Sequence, residues 1–133
     1  LLAGTFCGST VSLRVGTRIL ERFKEEKFFG KKGKIAQAEK WAVEGLKNLR
    51  EKVGENNISE IGAIGAMISW KFRDGFLEET KKFILKAFEE GVILYYCGHG
   101  PYKIRFLLPV GGMKESDYRG AMKILERTIK KLL

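Results

Sequence analysis

One run of apolar residues constrains the fold more than any other feature of the sequence. Between positions 34 and 53 these residues recur at steps of three and four, at Ile35, Ala38, Ala42, Leu46, Leu49 and Val53. The spacing keeps them on one stripe of an α-helix, so it predicts an amphipathic helix with one buried face. Gly54 follows, and glycine is the residue that most readily ends a helix. Such a helix needs another layer of structure to cover its apolar face.

The remaining patterns predict three more helices and three strands. Helices are expected over 10–27, 76–90 and 115–132, with Phe76 and Phe88 on the inner face of the second. Alternation predicts strands over 58–72 and 102–108, with Ile64 and Trp70 on the same face of the first, and the apolar residues 92–96 predict a short buried strand. The last two strands are close enough to pair as antiparallel neighbours. The order predicts an α+β fold: a small, mostly antiparallel three-stranded sheet with helices packed on one face, preceded by a long helix.

The charge balance favours an anionic partner. The chain has 25 Lys+Arg against 16 Asp+Glu, a formal net charge of +9. That balance suits nucleic acid, phosphate, carboxylate or an acidic protein face, although most of these charges are interpreted as solvated helix faces. No apolar run is long enough to span a membrane, and the first residues do not resemble a signal peptide. We therefore expect a cytoplasmic protein, and because it begins at Leu1 we expect it to be cut from a longer chain.

Cysteine and histidine offer little for catalysis or metal binding. Cys7 and Cys97 lie far apart, and His99 is the only histidine. A structural zinc site usually needs four clustered ligands, so no metal is expected. Both cysteines are interpreted as reduced thiols, with a single disulfide as the alternative. His99 lies between glycines without a Ser, Cys or Asp constellation in sequence, so no catalytic role is predicted for it.

Three segments are candidates for binding an anion. In residues 4–10, small residues before a helix let backbone amides approach a phosphate, and Thr5 can donate its hydroxyl; ordinary helix capping is the alternative. Residues 30–34 lack the GxxxxGK[ST] spacing and a preceding strand, so no nucleotide role is predicted. Arg105 lies mid-strand among apolar neighbours, where a guanidinium suits a carboxylate or phosphate. Its alternatives are an exposed arginine on an open sheet face and an internal salt bridge.

Three segments, taken together, resemble the class III aminotransferases, and most closely the 4-aminobutyrate aminotransferases among them. GTFCG at 4–8 is similar to the family's GTFxGNP stretch. ISEIGAIGAMISWKFRDG at 58–75 is similar to IGDVRGxGAMxxxEL, and YYCGHGPYKIRFLLP at 95–109 is similar to CG…(V/I)R(I/F)xxPL. The three segments occur in the family's order, and the resemblance covers essentially the whole chain.

The resemblance implies that the chain is the C-terminal, small-domain fragment of an enzyme that uses pyridoxal phosphate. Such an enzyme moves an amino group from an amine or ω-amino acid to a 2-oxo acid. Residues 1–28 would end the cofactor domain and form a connecting helix, and residues 29–133 would form the small domain. Thr5 stands where the family reaches the phosphate of the partner subunit's cofactor, and Arg105 stands where it holds the substrate carboxylate.

The resemblance also implies what the chain lacks. The Schiff-base lysine and the aspartate that pairs the pyridine nitrogen belong upstream of Leu1. The chain alone is therefore expected to be inactive, with no catalytic residue and no bound cofactor. The intact enzyme is expected to be a homodimer that binds neither nucleic acid nor membrane.

Three departures from the family pattern leave the substrate open. Asn-Pro is replaced by Ser9-Thr10, Arg-Gly by Gly62-Ala63, and Leu-Thr-Ile by residues 110–112. An alternative function comes from a different class of protein. In it, the chain is a stand-alone basic α+β module that binds nucleic acid or an acidic partner without catalysis.

Overall fold

The computed structural model describes residues 8–133, which form four helices and one sheet. The helices are α1 (Thr10–Glu25), α2 (Lys34–Val53), α3 (Leu77–Glu89) and α4 (Glu115–Lys130). The strands are β1 (Ser59–Ile64), β2 (Met67–Lys71), β3 (Tyr95–Cys97) and β4 (Lys103–Leu107). All pairings are antiparallel, and the strand order is β1-β2-β4-β3. The predicted α+β class and antiparallel sheet are confirmed, but the sheet has four strands and not three.

The helices form two layers behind one face of the sheet. α2 packs on β1 and β2, α3 packs on β3 and β4, and α4 packs on α2 and α3. The core lies between the sheet and the helices that cover it. It includes Leu46, Ile58, Ile68, Trp70, Phe83, Ile104, Leu125 and Ile129. α1 contacts no other helix or strand between residues 8 and 133, and none of its residues is buried. Its Phe23 ring packs on Phe28, which is the first buried residue of the described chain.

The predicted stripe of α2 is the inner face of that helix. Five of the stripe's six residues are buried, namely Ala38, Ala42, Leu46, Leu49 and Val53, and the sixth, Ile35, is partly buried. Gly54 follows the helix with a φ of 91°, a backbone angle that glycine adopts without strain. The predicted bounds of this helix match those of the structure, because the apolar period and the glycine that follows both place its end at Val53.

The prediction of one long strand over residues 58–72 was wrong, because these residues form the β1–β2 hairpin. The chain turns at residues 65 and 66, and Gly65 has a φ of 58°. In this two-residue turn Ile64 pairs with Met67, so the two side chains share a face. In one continuous strand they would lie on opposite faces. The turn therefore moves Ile64 away from Trp70 and leaves it 86% exposed.

Two further predictions were wrong in detail. Phe76 and Phe88 were expected on the inner face of α3, but both are exposed, and the buried residues of the helix are Thr80, Phe83 and Ala87. Phe76 precedes the helix in an extended conformation, and Phe88 is one residue beyond the buried stripe. β3 begins at Tyr95, three residues later than predicted. None of the four helices in residues 8–133 combines the length and the hydrophobicity that a membrane span requires.

Candidate functional site

One face of the sheet carries no helix, and we call it the open face. The cross-strand pairings and the alternation of burial assign its side chains. They belong to three rows that run across the strands. The apolar row is Ile64, Met67 and Leu107; the arginine row is Ser69, Arg105 and Tyr95, with Gly62 at its end; the lysine row is Lys71, Lys103 and Cys97.

Arg105 lies at the centre of the open face. It pairs with Ser69 on β2 and with Tyr95 on β3, and it is partly buried. Its Nε is buried and has no hydrogen-bond partner, and none of the carboxylates in residues 8–133 lies within ion-pair distance of it. A buried donor without a partner is unusual in a protein. Of the alternatives, an internal salt bridge is therefore not formed within the described chain, and Arg105 has unused capacity for an anion.

Glu60 joins the lysine row to β1. Its two carboxylate oxygens lie 2.6 Å from Lys71 Nζ and 2.7 Å from Lys103 Nζ. A register shift between Ser59 and Gly62 interrupts the β1–β2 ladder, and Glu60 has a φ of 49°. The hydrogen bond from Lys103, and then that from Lys71, lowers the pKa of Glu60 to about 2. Glu60 therefore neutralises part of the positive charge beside Arg105.

The low pKa of Glu60 predicts how this cluster responds to acid. Because the folded pKa lies below the ordinary value of 4.5, the stabilisation by Glu60 is present above pH 4.5 and is lost as the pH falls toward 2. A carbon-detected NMR titration of the Glu60 carboxyl group is expected to show a midpoint near 2. In the double variant Lys71→Gln, Lys103→Gln the midpoint is expected to rise toward 4.5. An unchanged midpoint in that variant would show that the lysines are not the cause.

Gly62 keeps the end of the arginine row open. A Cβ at this position would lie 3.4 Å from Ser69 Oγ, which is close contact without severe overlap. The motif that the sequence resembles has arginine here. Among the described strands, the absence of that arginine leaves Arg105 as the only arginine of the open face, so an anion on this face has one guanidinium to bind.

The other residues considered from the sequence do not gather around Arg105. His99 is exposed in the loop between β3 and β4, with its ring 6.4 Å from that of Tyr102. Cys97 is a partly buried free thiol in the lysine row. Thr5 and Cys7 lie outside the described residues. Within residues 8–133 no three His, Cys, Asp or Glu side chains are grouped in a way that suits a metal ion.

Sequence reasoning missed the Glu60 cluster. Lys71 and Lys103 both alternate with buried residues, which predicts only that each faces away from the core. Their proximity depends on the pairing of β2 with β4, and Glu60 reaches them because of the irregularity in β1. Neither feature has a local signal in the sequence.

Comparison with known proteins gives a consistent result. The sequence profile of the family described as Aminotransferase class-III matches residues 2–129. The chain is 29% identical over 115 residues to the 5-aminovalerate aminotransferase DavT of Pseudomonas aeruginosa. That match covers 82% of this chain and 26% of DavT, so the chain spans about a quarter of the length of this curated relative.

Solved structures agree at the level of the fold. Acetylornithine aminotransferase from Elizabethkingia anophelis superimposes with a TM-score of 0.82 at 20% identity, over 98% of this chain and 32% of that one. Lysine aminotransferase from M. tuberculosis superimposes with a TM-score of 0.82 at 17% identity, over 99% of this chain and 28% of that one. At such identities the likeness concerns the fold alone.

Proposed function

The chain belongs to the class III aminotransferase family, and on that premise we propose that it forms the part of such an enzyme that holds the substrate carboxylate. Members of this family use pyridoxal phosphate, and their substrates are an amino donor and a 2-oxo acid. In this proposal the donor is an amine or an ω-amino acid. The name of the DavT relative, a 5-aminovalerate aminotransferase, supports an ω-amino acid.

The proposal rests on the location of Arg105 and on its unpaired hydrogen-bond donor. Its guanidinium lies on a sheet face that no helix of residues 8–133 covers, and its buried Nε has no hydrogen-bond partner among those residues. Two substrates that react in turn at one site must present a shared group to the same residue. Since the carboxylate is common to amino acids and oxo acids, an arginine with planar, paired donors suits that task.

The cofactor requires residues beyond those of the open face. When bound, pyridoxal phosphate supplies the electron-withdrawing chemistry of amino-group transfer. The unpaired donor of Arg105 fits an anionic group at this face, and we assign it to substrate and not to cofactor. Thr5 is proposed to donate a hydrogen bond to the phosphate of the partner subunit's cofactor. The chain alone is proposed to be inactive, because the lysine that anchors the cofactor is expected outside it.

The proposed division of the chain has support from packing. α1 has no buried residue, whereas every residue of the core cluster lies beyond Phe28, from Ala38 onward. This contrast supports a connecting helix within residues 1–28 and a small domain over residues 29–133. A homodimeric enzyme and a cytoplasmic location remain predictions.

Replacing Arg105 tests the proposal in the full-length enzyme that it requires. Arg105→Ala is expected to raise the apparent KM for 2-oxoglutarate by about tenfold to a hundredfold, because a charge-assisted hydrogen-bonded pair is lost. Arg105→Lys is expected to fall between wild type and Arg105→Ala, since lysine keeps the charge but not the planar pair of donors. Steady-state kinetics at varied oxo acid measures both effects.

Arg119 provides a matched control. It is an exposed arginine on α4 that pairs with Glu115 of the same helix. Arg119→Ala is expected to leave the apparent KM unchanged. An equal KM in wild type and Arg105→Ala would contradict the assignment, and the 133-residue chain with added pyridoxal phosphate serves as the inactive blank.

A further inference from the structure

The positive charge that is left without a partner is concentrated in one place. Fifteen of the 25 lysines and arginines form an ion pair within residues 8–133, which leaves ten that do not. Four of these ten lie within nine consecutive positions, from the last turn of α1 to the loop before α2. We call them the lysine cluster: Lys24, Lys27, Lys31 and Lys32, all of them exposed.

The lysine cluster borders a concavity with aromatic walls. The concavity has a volume of about 400 Å³ and is lined by Phe23, Lys24, Lys27, Phe29, Lys32 and Gly33. None of the described residues that line it is acidic. The nearby Glu26 is engaged by Arg22 and Lys34, so it does not neutralise the cluster. The volume is that of a small-molecule site.

Phe29 gives this concavity a second recognition element. Its side chain is 61% exposed although it is fully apolar, and its ring lies edge-on to Phe23 with the centroids 5.8 Å apart. Exposed aromatic rings beside lysines are the combination that binds phosphate groups attached to flat bases. A simple anion would use the lysines and leave Phe29 in water.

We propose that the lysine cluster and Phe29 bind a nucleotide, with its phosphate at Lys27 and Lys32 and its base against Phe29. The site differs from a phosphate-binding loop, because lysine side chains and an aromatic wall make the contacts. It also lies apart from the open face, and none of its lining residues belongs to the sheet. It is therefore a second anion site, independent of the one assigned to Arg105.

Calorimetric titration of the 133-residue chain with AMP, inorganic phosphate and adenosine tests the proposal. AMP is expected to bind at least about ten times more tightly than inorganic phosphate, because base and phosphate contribute together. The double variant Lys27→Gln, Lys32→Gln is expected to weaken AMP about tenfold or more. Phe29→Ala is expected to weaken AMP about three- to tenfold and to leave inorganic phosphate unchanged, which also reports that the variant is folded.

Matched control variants distinguish binding at a specific site from binding that depends only on the overall positive charge. Lys47→Gln, Lys82→Gln removes two exposed lysines that also lack an ion pair, and Phe88→Ala removes another exposed phenylalanine. Both are expected to leave AMP binding as in wild type. Equal losses in the controls, or equal affinity for AMP and inorganic phosphate, would overturn the proposal. So would salt-sensitive binding of a single-stranded oligonucleotide without binding of AMP, which would identify a nucleic-acid surface instead.

Discussion

Trp70→Ala is expected to lower the free energy of unfolding by about 3–5 kcal/mol. Trp70 is 0% exposed and lies in β2, which is bordered by β1 and β4. Its cross-strand neighbour is Ile104, and its ring packs edge-on to Phe106 at 5.3 Å. Removing the largest buried side chain of the sheet leaves a cavity that strands on both sides prevent from closing. Urea unfolding followed by circular dichroism measures the loss.

Trp70→Phe separates packing from hydrogen bonding at the same position. The indole Nε1 is buried and has no hydrogen-bond partner in the described part of the chain, and such a group costs free energy in the folded state. Phenylalanine removes that cost while it keeps most of the ring, so we expect a loss below about 2 kcal/mol. Leu85→Ala, on the exposed side of α3, is expected to change stability by less than about 0.5 kcal/mol. If Trp70→Ala lowered the free energy of unfolding no more than Leu85→Ala does, the assignment of Trp70 to the core would be contradicted.

The sequence predicts helices well here because each signal is local. The stripe of α2 and the glycine after it act within a few residues, and the structure has the helix as predicted. The hairpin was missed for the opposite reason. An alternating pattern continues through the turn at Gly65, and only the pairing of Ile64 with Met67 distinguishes two strands from one. That pairing is a tertiary contact, which local periodicity does not encode.

The candidate site likewise contains one feature with a local signal in the sequence and others that depend on tertiary contacts. Arg105 stands out from the sequence because an arginine among apolar strand residues needs an explanation, and it does lie on the open face. The lysine cluster was not recognised: Lys31 and Lys32 were set aside because residues 30–34 lack the spacing of a phosphate-binding loop, and Lys24 and Lys27 appear as ordinary solvated charge. Only the structure shows that the neighbouring acids are already engaged and that four lysines remain unpaired. Whether a charged side chain is paired depends on which residues lie near it in the folded structure, and its neighbours in the sequence do not determine these.

Gly75→Ala is expected to be the second most costly of these substitutions, at about 2–4 kcal/mol. Gly75 is buried and has a φ of 74°, which a residue with a Cβ adopts only with strain. The added Cβ would lie 2.8 Å from Pro101 Cβ and 2.9 Å from the Tyr102 carbonyl oxygen. The backbone N–H of Tyr102 donates to the Gly75 carbonyl oxygen at 2.8 Å, so the clash falls on the contact that holds the start of β4.

Gly30→Ala isolates the contribution of the backbone angle. Gly30 has a φ of 89°, and no atom of a residue from 8 to 133 lies within 4 Å of the position that its Cβ would take. It is expected to cost only about 1 kcal/mol. The excess for Gly75→Ala therefore measures the displacement of Tyr102 and, with it, of the strand that carries Lys103 and Arg105. If urea unfolding gave the same loss of unfolding free energy for both variants, β4 would be able to shift without cost. The structure would then not support a rigidly placed Arg105.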